Sequence, residues 1–69
     1  MGSPDVGATA AELSAAAEAI ATYRRRVASL AGPLLGTEHD DLVSAIYEAE
    51  RSLSTAERLL LRAVKVARN

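Results

Sequence analysis

Cysteine, tryptophan and phenylalanine are absent from the 69-residue chain, and histidine occurs once, at His39. Without cysteine the chain can form neither a disulfide nor a thiolate zinc site, and one histidine excludes a conventional structural zinc. A domain of this size buries only about 60% of the surface that its unfolded chain exposes. We therefore expect oligomerisation or a partner protein to supply stability that the chain lacks alone.

Neither sign of charge is in excess, because the formal net charge is −1. This excludes a global attraction to nucleic acid or to an anionic membrane surface. No stretch approaches the roughly 18 apolar residues of a membrane-spanning helix, and the first residues lack a signal-peptide pattern. The absence of cysteine favours a reducing compartment, so we predict a cytoplasmic protein, with secretion by a signal-peptide-independent route as the alternative. The high alanine and arginine usage resembles that of proteins from GC-rich bacteria.

Glycine and proline are few, and their positions predict the boundaries of the structure. Two glycines and a proline without periodicity predict a flexible arm over residues 1–8, followed by a helical hairpin over 9–69. Thr9 begins a T-x-x-E capping box, which predicts a helix over about 10–31. Gly32 is expected to end that helix in a left-handed conformation.

A turn over residues 32–37 and a second helix over about 38–68 are expected next, with Thr37 as the helix cap. Acidic residues at the start of this helix and basic residues at its end match the helix dipole. These residues are Glu38, Asp40 and Asp41 at the start, and Arg58, Arg62, Lys65 and Arg68 at the end. A second capping box at Ser54 leaves a break in the helix as an alternative.

Apolar residues recur at alternating spacings of three and four, the pattern of a coiled coil. In the first helix they are Leu13, Ala16, Ile20, Tyr23, Val27 and Leu30. In the second they are Leu42, Ile46, Ala49, Leu53, Ala56, Leu60, Ala63 and Ala67. Because the connection is short, we predict an all-α, antiparallel two-helix hairpin whose core is formed by the larger of these residues.

The second predicted helix, of about 31 residues, is longer than the first, of about 22. With the chain folded back at the middle of the connection, Leu60 lies opposite Thr9 and the residues after it overhang. Apolar side chains left uncovered there predict a protein interface formed by Leu59, Leu61, Val64 and Val66. Tyr47, beside Val43 earlier in the same helix, is predicted as a second contact point of this interface.

An interface at this end of the second helix has two candidate occupants. The simplest is a second copy of the chain, which gives a four-helix bundle as a homodimer. The alternative is a larger protein bound by a small adaptor or antitoxin-like hairpin. Either way we predict a non-enzymatic protein–protein interaction module, with no small-molecule substrate.

One short cluster combines residue types found in catalytic and metal sites. His39, Asp40 and Asp41 are consecutive, and neighbouring residues of a helix point in different directions, so they cannot converge on one ion. A catalytic triad needs more than this single histidine, and a glycine-rich phosphate loop is absent from the sequence. We predict neither catalytic nor cofactor-binding nor metal-binding residues.

Three consecutive arginines are the most prominent basic feature. The predicted register brings Arg24 near Glu50 and Arg26 near Glu38, which leaves Arg25 free. Nucleic-acid binding normally needs a broader basic surface, so it is a third, less favoured hypothesis. Membrane contact by the basic, apolar C-terminal segment is disfavoured because tryptophan and phenylalanine are absent.

Two long alanine-rich helices with a glycine at the bend resemble the small helical hairpins of the WXG-type secretion class. The resemblance covers most of the chain but lies in its layout. Of the family's Trp-x-Gly turn only Gly32 matches, and Arg51 stands where the tyrosine-acid signal after Tyr47 would need an acid. The resemblance implies a secretion-associated hairpin that binds a partner.

Overall fold

Two antiparallel helices joined by a tight turn make up the fold, in a computed structural model that describes residues 4–69. Helix α1 spans Val6–Ser29 and helix α2 spans Asp40–Arg68, with a short 3-10 helix, Gly32–Leu34, between them. Within the described residues there is no strand. The predicted all-α hairpin is confirmed, and its assembly into a four-helix bundle stays a prediction.

Helix α1 begins earlier than the sequence predicts. Asp5 has an extended backbone, and its carboxylate accepts a hydrogen bond from the amide of Ala8 at 2.9 Å, so Asp5 is the cap. Thr9, the predicted cap, lies inside the helix and its hydroxyl donates to the carbonyl oxygen of Asp5. The helix therefore includes three residues of the predicted arm, whose first three residues lie outside the described part of the chain.

The left-handed glycine of the turn is Gly36, with φ of 74°, and not the predicted Gly32. Gly32 instead begins the 3-10 helix, where proline follows it. Thr37 does not directly precede α2 as predicted, because the cap position is His39. The Thr37 hydroxyl donates to the carbonyl oxygen of Leu34 and accepts from the amide of His39, so it holds the turn together.

The two glycines of the turn should respond differently to substitution by alanine. We expect Gly36→Ala to lower the free energy of unfolding by about 1 kcal/mol, because a left-handed backbone is strained for any residue with a Cβ atom. Gly32→Ala is the matched control, since φ is not positive there and nothing lies within 4 Å of the added Cβ. Urea unfolding followed by circular dichroism measures both, and equal losses would contradict the assignment.

Helix α2 is continuous through Ser54, so the alternative of a break there does not occur. Asp40 and Asp41 lie in its first turn, and Lys65 and Arg68 lie in its last. This is the predicted match to the helix dipole. Because α2 is continuous, residues seven apart point in nearly the same direction along the whole helix.

The hairpin is a thin rod with overall dimensions of 59 × 18 × 14 Å. Its cross-section holds two helices side by side and no second layer, since one helix with its side chains is about 10 Å wide. Five side chains among the described residues are buried, and none is larger than valine: Ala10, Ala17, Ala31, Val43 and Val64. Every leucine and isoleucine therefore stays at least partly exposed.

Candidate interaction surface

The surface between the two helices, called the seam below, is rotated relative to the prediction. In α1 it follows one row of buried or half-buried residues: Ala10, Leu13, Ala17, Ile20, Arg24, Val27 and, just beyond the helix, Ala31. In α2 it follows the row Val43, Ile46, Glu50, Leu53, Glu57, Leu60, Val64 and Ala67, with half-buried small residues beside it on both helices. The spacing of three and four is the predicted one, but every second position of the predicted set is displaced by one residue.

Because of this rotation, four residues have an exposure different from the predicted one. Tyr23 and Leu42, predicted as hairpin core, are 54% and 47% exposed. Val43 and Val64, predicted as a protein interface, are 8% and 7% exposed because they pack in the seam. The other predicted core residues lie half-buried in the seam, as expected: Leu13, Ile20, Val27, Ile46, Leu53 and Leu60.

A charged layer crosses the middle of the seam. The Arg24 guanidinium donates a hydrogen bond from Nε to Glu57 at 3.0 Å, and its Nη1 lies 3.6 Å from Glu50. These three side chains are 24% to 29% exposed. The predicted pair of Arg24 with Glu50 is present, and Glu57 is a second partner that was not predicted. Because one cation meets two carboxylates one heptad apart, this layer favours one register of the helices.

The predicted overhang of α2 is not present. Arg24 lies opposite the segment between Glu50 and Glu57, and antiparallel helices run in opposite directions from that point. Fourteen residues before Arg24 is Ala10, and fourteen after Glu50 is Val64; both are buried. The first turns of α1, which begins earlier than predicted, therefore cover the end of α2. Exposure of leucines there has to arise from the direction in which they point.

One side of the hairpin is continuously uncharged along α2. We call this surface the apolar flank; helix geometry places it roughly 100° from the seam. Its α2 residues alternate at spacings of three and four: Leu42, Ala45, Ala49, Ser52, Ala56, Leu59, Ala63 and Val66. Leu42, Leu59 and Val66 are 47%, 58% and 67% exposed. Helix α2 thus carries two apolar faces, of which α1 covers one.

Helix α1 extends the apolar flank. Tyr23 and Leu30 occupy its positions adjacent to the seam on the same side of the hairpin, and both are more than half exposed. The Arg26 guanidinium lies 5.8 Å from the centre of the Tyr23 ring, within cation–π range. Arg26 therefore contacts Tyr23, and an ion pair with Glu38 is not found among residues 4–69.

The predicted interface residues do not form one surface. Leu59 and Val66 lie on the apolar flank, whereas Tyr47 and Leu61 lie on the opposite side of the seam. Leu61 adjoins a shallow depression lined by the basic side chains of Arg58, Arg62 and Lys65. The exposed part of the predicted interface is therefore divided between two sides, and the apolar flank is the larger and less charged of them.

Metal binding, membrane spanning and nucleic-acid binding through Arg25 have little structural basis in the part of the chain that is described. No group of three histidine, cysteine or carboxylate side chains there converges as a metal site would require. No helix of this part is both long and apolar enough to cross a membrane. The nearest hydrogen-bonding partner of the Arg25 guanidinium is the Thr22 hydroxyl at 3.5 Å, on the same helix. The apolar flank is thus the most distinctive surface of the hairpin.

The fold defines the class of the protein as an antiparallel helical hairpin. No family model matches the chain, and no curated protein or solved structure is significantly similar to it. The similarity to WXG-type hairpins therefore remains one of layout. The function has to be argued from the surface of the hairpin itself.

Proposed function

We propose that this protein is a non-enzymatic interaction module that self-associates, two hairpins forming a four-helix bundle. The observation that carries the proposal is the apolar flank, along which five large side chains are exposed: Tyr23, Leu30, Leu42, Leu59 and Val66. An uncharged face of this length with exposed leucines is uncommon on a soluble monomer and is typical of interaction sites. A second helical layer would cover it.

The thinness of the hairpin supports the same proposal. The seam buries small side chains and carries a charged layer, so the hydrophobic stabilisation of one hairpin is low for its length. A large apolar side chain contributes roughly 1.5 to 3 kcal/mol when it passes from exposed to buried. Covering the apolar flank would therefore add stability that the single hairpin lacks.

A second copy is the occupant that we propose for the flank. Self-association needs only one gene product, and a two-fold arrangement lets the same residues serve on both sides of the interface. A hetero-partner, as an adaptor or antitoxin-like protein would have, is the competing outcome of the experiment below. We place the module in the cytoplasm as part of the same proposal, since a cysteine-free chain suits a reducing compartment.

Self-association makes stability depend on concentration. We expect sedimentation equilibrium at micromolar concentrations to give twice the monomer mass, and the thermal midpoint Tm to fall on dilution, because dissociation precedes or accompanies unfolding. Circular dichroism across a hundredfold dilution range measures the second effect. A helical monomer whose Tm is the same at every concentration would contradict the proposal and favour a hetero-partner.

A further inference from the structure

We infer that two hairpins pair through the apolar flanks of their α2 helices, antiparallel to each other, about a two-fold axis beside Thr55. The inference rests on the proposed function and adds the surface and the orientation that self-association uses. Three features of the hairpin lead to it: the charges along the flank, the absence of partners for those charges, and the order of large and small residues.

Charges along the outer edge of the apolar flank supply the orientation. On the side facing away from α1, every seventh residue of α2 reads Asp41, Glu48, Thr55, Arg62 and Asn69. Acid thus lies near the start of this row and base near its end. In an antiparallel pair Glu48 of each copy lies opposite Arg62 of the other, whereas in a parallel pair this row would face the uncharged row of Ile46, Leu53 and Leu60 at the other edge of the flank.

Neither of these two charges has an ion-pair partner within the described part of the chain. Glu48 and Arg62 are exposed, and the ion pairs found within residues 4–69 do not include them. They are fourteen residues apart on one straight helix, about 21 Å, so they cannot contact each other within one chain. A second copy brings each of them an opposite charge, and the two-fold symmetry forms the pair twice.

The apolar residues fit a two-fold axis within one residue, about 1.5 Å, of the one that the charges define. Leu42 and Val66 lie at equal distances on either side of Ser54, and so do Ala49 and Leu59. In the antiparallel pair Leu42 of one copy therefore meets Val66 of the other, and Ala49 meets Leu59. The small Ala49 opposite the large Leu59, with Ser52 opposite Ala56 between them, lets the middle of the two helices approach to near the lower end of the usual range of about 8 to 10 Å.

Shifting the two copies by one heptad weakens the match. It shortens the overlap of the apolar flanks and places Glu48 opposite either Thr55 or Asn69 instead of Arg62. The antiparallel arrangement about Thr55 is thus the register that pairs both charges and covers the whole flank. The two-fold axis then places α1 of one copy next to α1 of the other, and the four helices form the bundle.

A charge-swap experiment tests the pairing of Glu48 with Arg62. Glu48→Arg and Arg62→Glu should each raise the dimer dissociation constant roughly tenfold, because two attractive pairs become repulsive. The double variant restores opposite charges across the interface and should return the constant to within about threefold of the unsubstituted protein. Sedimentation equilibrium at low salt measures all four proteins. Additive losses in the double variant would overturn the proposed pairing.

Distances between identical labels test the orientation, and the cysteine-free chain accepts a single label without background. Spin labels at Thr55→Cys should lie close together, next to the axis. Labels at Ala45→Cys, an exposed flank position ten residues away, should be roughly 30 Å apart if the helices are antiparallel. A short distance between the Ala45 labels would show a parallel pair and overturn the inference.

The two experiments separate the inference from the proposed function. If the unsubstituted protein is monomeric at all concentrations, both are overturned. If it is a dimer in which the charge swap gives no rescue, or in which the Ala45 labels are close, self-association stands and the antiparallel pairing through the apolar flank is overturned.

Discussion

Replacing Arg24 with methionine is expected to lower the free energy of unfolding of the hairpin by about 2 kcal/mol. Losing one partner of a fully buried ion pair costs about 3 to 5 kcal/mol, whereas an exposed pair contributes below about 1 kcal/mol. The three side chains of this layer are 24% to 29% exposed, so the cost lies between these limits. The substitution also leaves Glu50 and Glu57 in the seam without their cation.

The matched control is Arg25→Met, one residue away on the outside of α1. Arg25 is exposed and forms no ion pair with α2 among the described residues, so its substitution should change stability by less than about 0.5 kcal/mol. Urea unfolding at one fixed protein concentration, followed by circular dichroism, compares the two variants. Equal losses for Arg24→Met and Arg25→Met would show that the charged layer contributes nothing.

A triple variant separates the cost of an unpaired charge from the net contribution of the layer. Arg24→Met combined with Glu50→Leu and Glu57→Leu fills the layer with apolar side chains of similar length. It should recover the loss of the single variant and equal or exceed the original stability, as replacement of buried ion networks often does. We expect its self-association to become less specific, because the ion pairs no longer fix the register of the seam.

The substitution Leu59→Glu is expected to raise the dimer dissociation constant at least about 100-fold. Leu59 is 58% exposed on the hairpin but lies near the middle of the apolar flank, so a charge there would be desolvated in both copies at once. The hairpin itself should keep its helical circular dichroism, because the side chain does not pack in the seam. Sedimentation equilibrium gives the constant.

Leu61→Glu provides the control for Leu59→Glu. Leu61 is a leucine of comparable exposure, 49%, two residues away, and it points to the opposite side of the seam. It should change the dissociation constant less than about threefold. The reverse result, dissociation by Leu61→Glu and none by Leu59→Glu, would place the interface on the side of Tyr47 and contradict our choice of flank.

Much of the hairpin could be predicted from local features of the sequence. Gly32, Pro33 and Gly36 interrupt two alanine-rich segments, which predicts two helices and a short antiparallel connection. The acids and bases predicted to mark the two ends of α2 lie in its first and last turns. The start of α1 was misplaced by several residues because both Asp5 and Thr9 are good cap residues, and the earlier one is used.

Which apolar face of each helix meets the other could not be predicted by counting apolar residues. The predicted seam had the higher apolar content, with Tyr23 where the structure has Arg24, and with alanines where it has Glu50 and Glu57. Charged residues are usually assigned to solvent when they are considered one at a time. Here one cation on α1 pairs with two carboxylates on α2, and that possibility exists only once the two helices are side by side.

The sequence by itself determined two helices, their antiparallel order and the spacing of three and four along each. The tertiary structure decided which of two overlapping heptad rows became the seam, and therefore which row remained on the surface. The physical reason is that α2 is apolar over about half of its circumference, and one neighbouring helix covers only part of that arc. Pairing of Arg24 with Glu50 and Glu57 selects the seam, and the uncharged flank is left exposed.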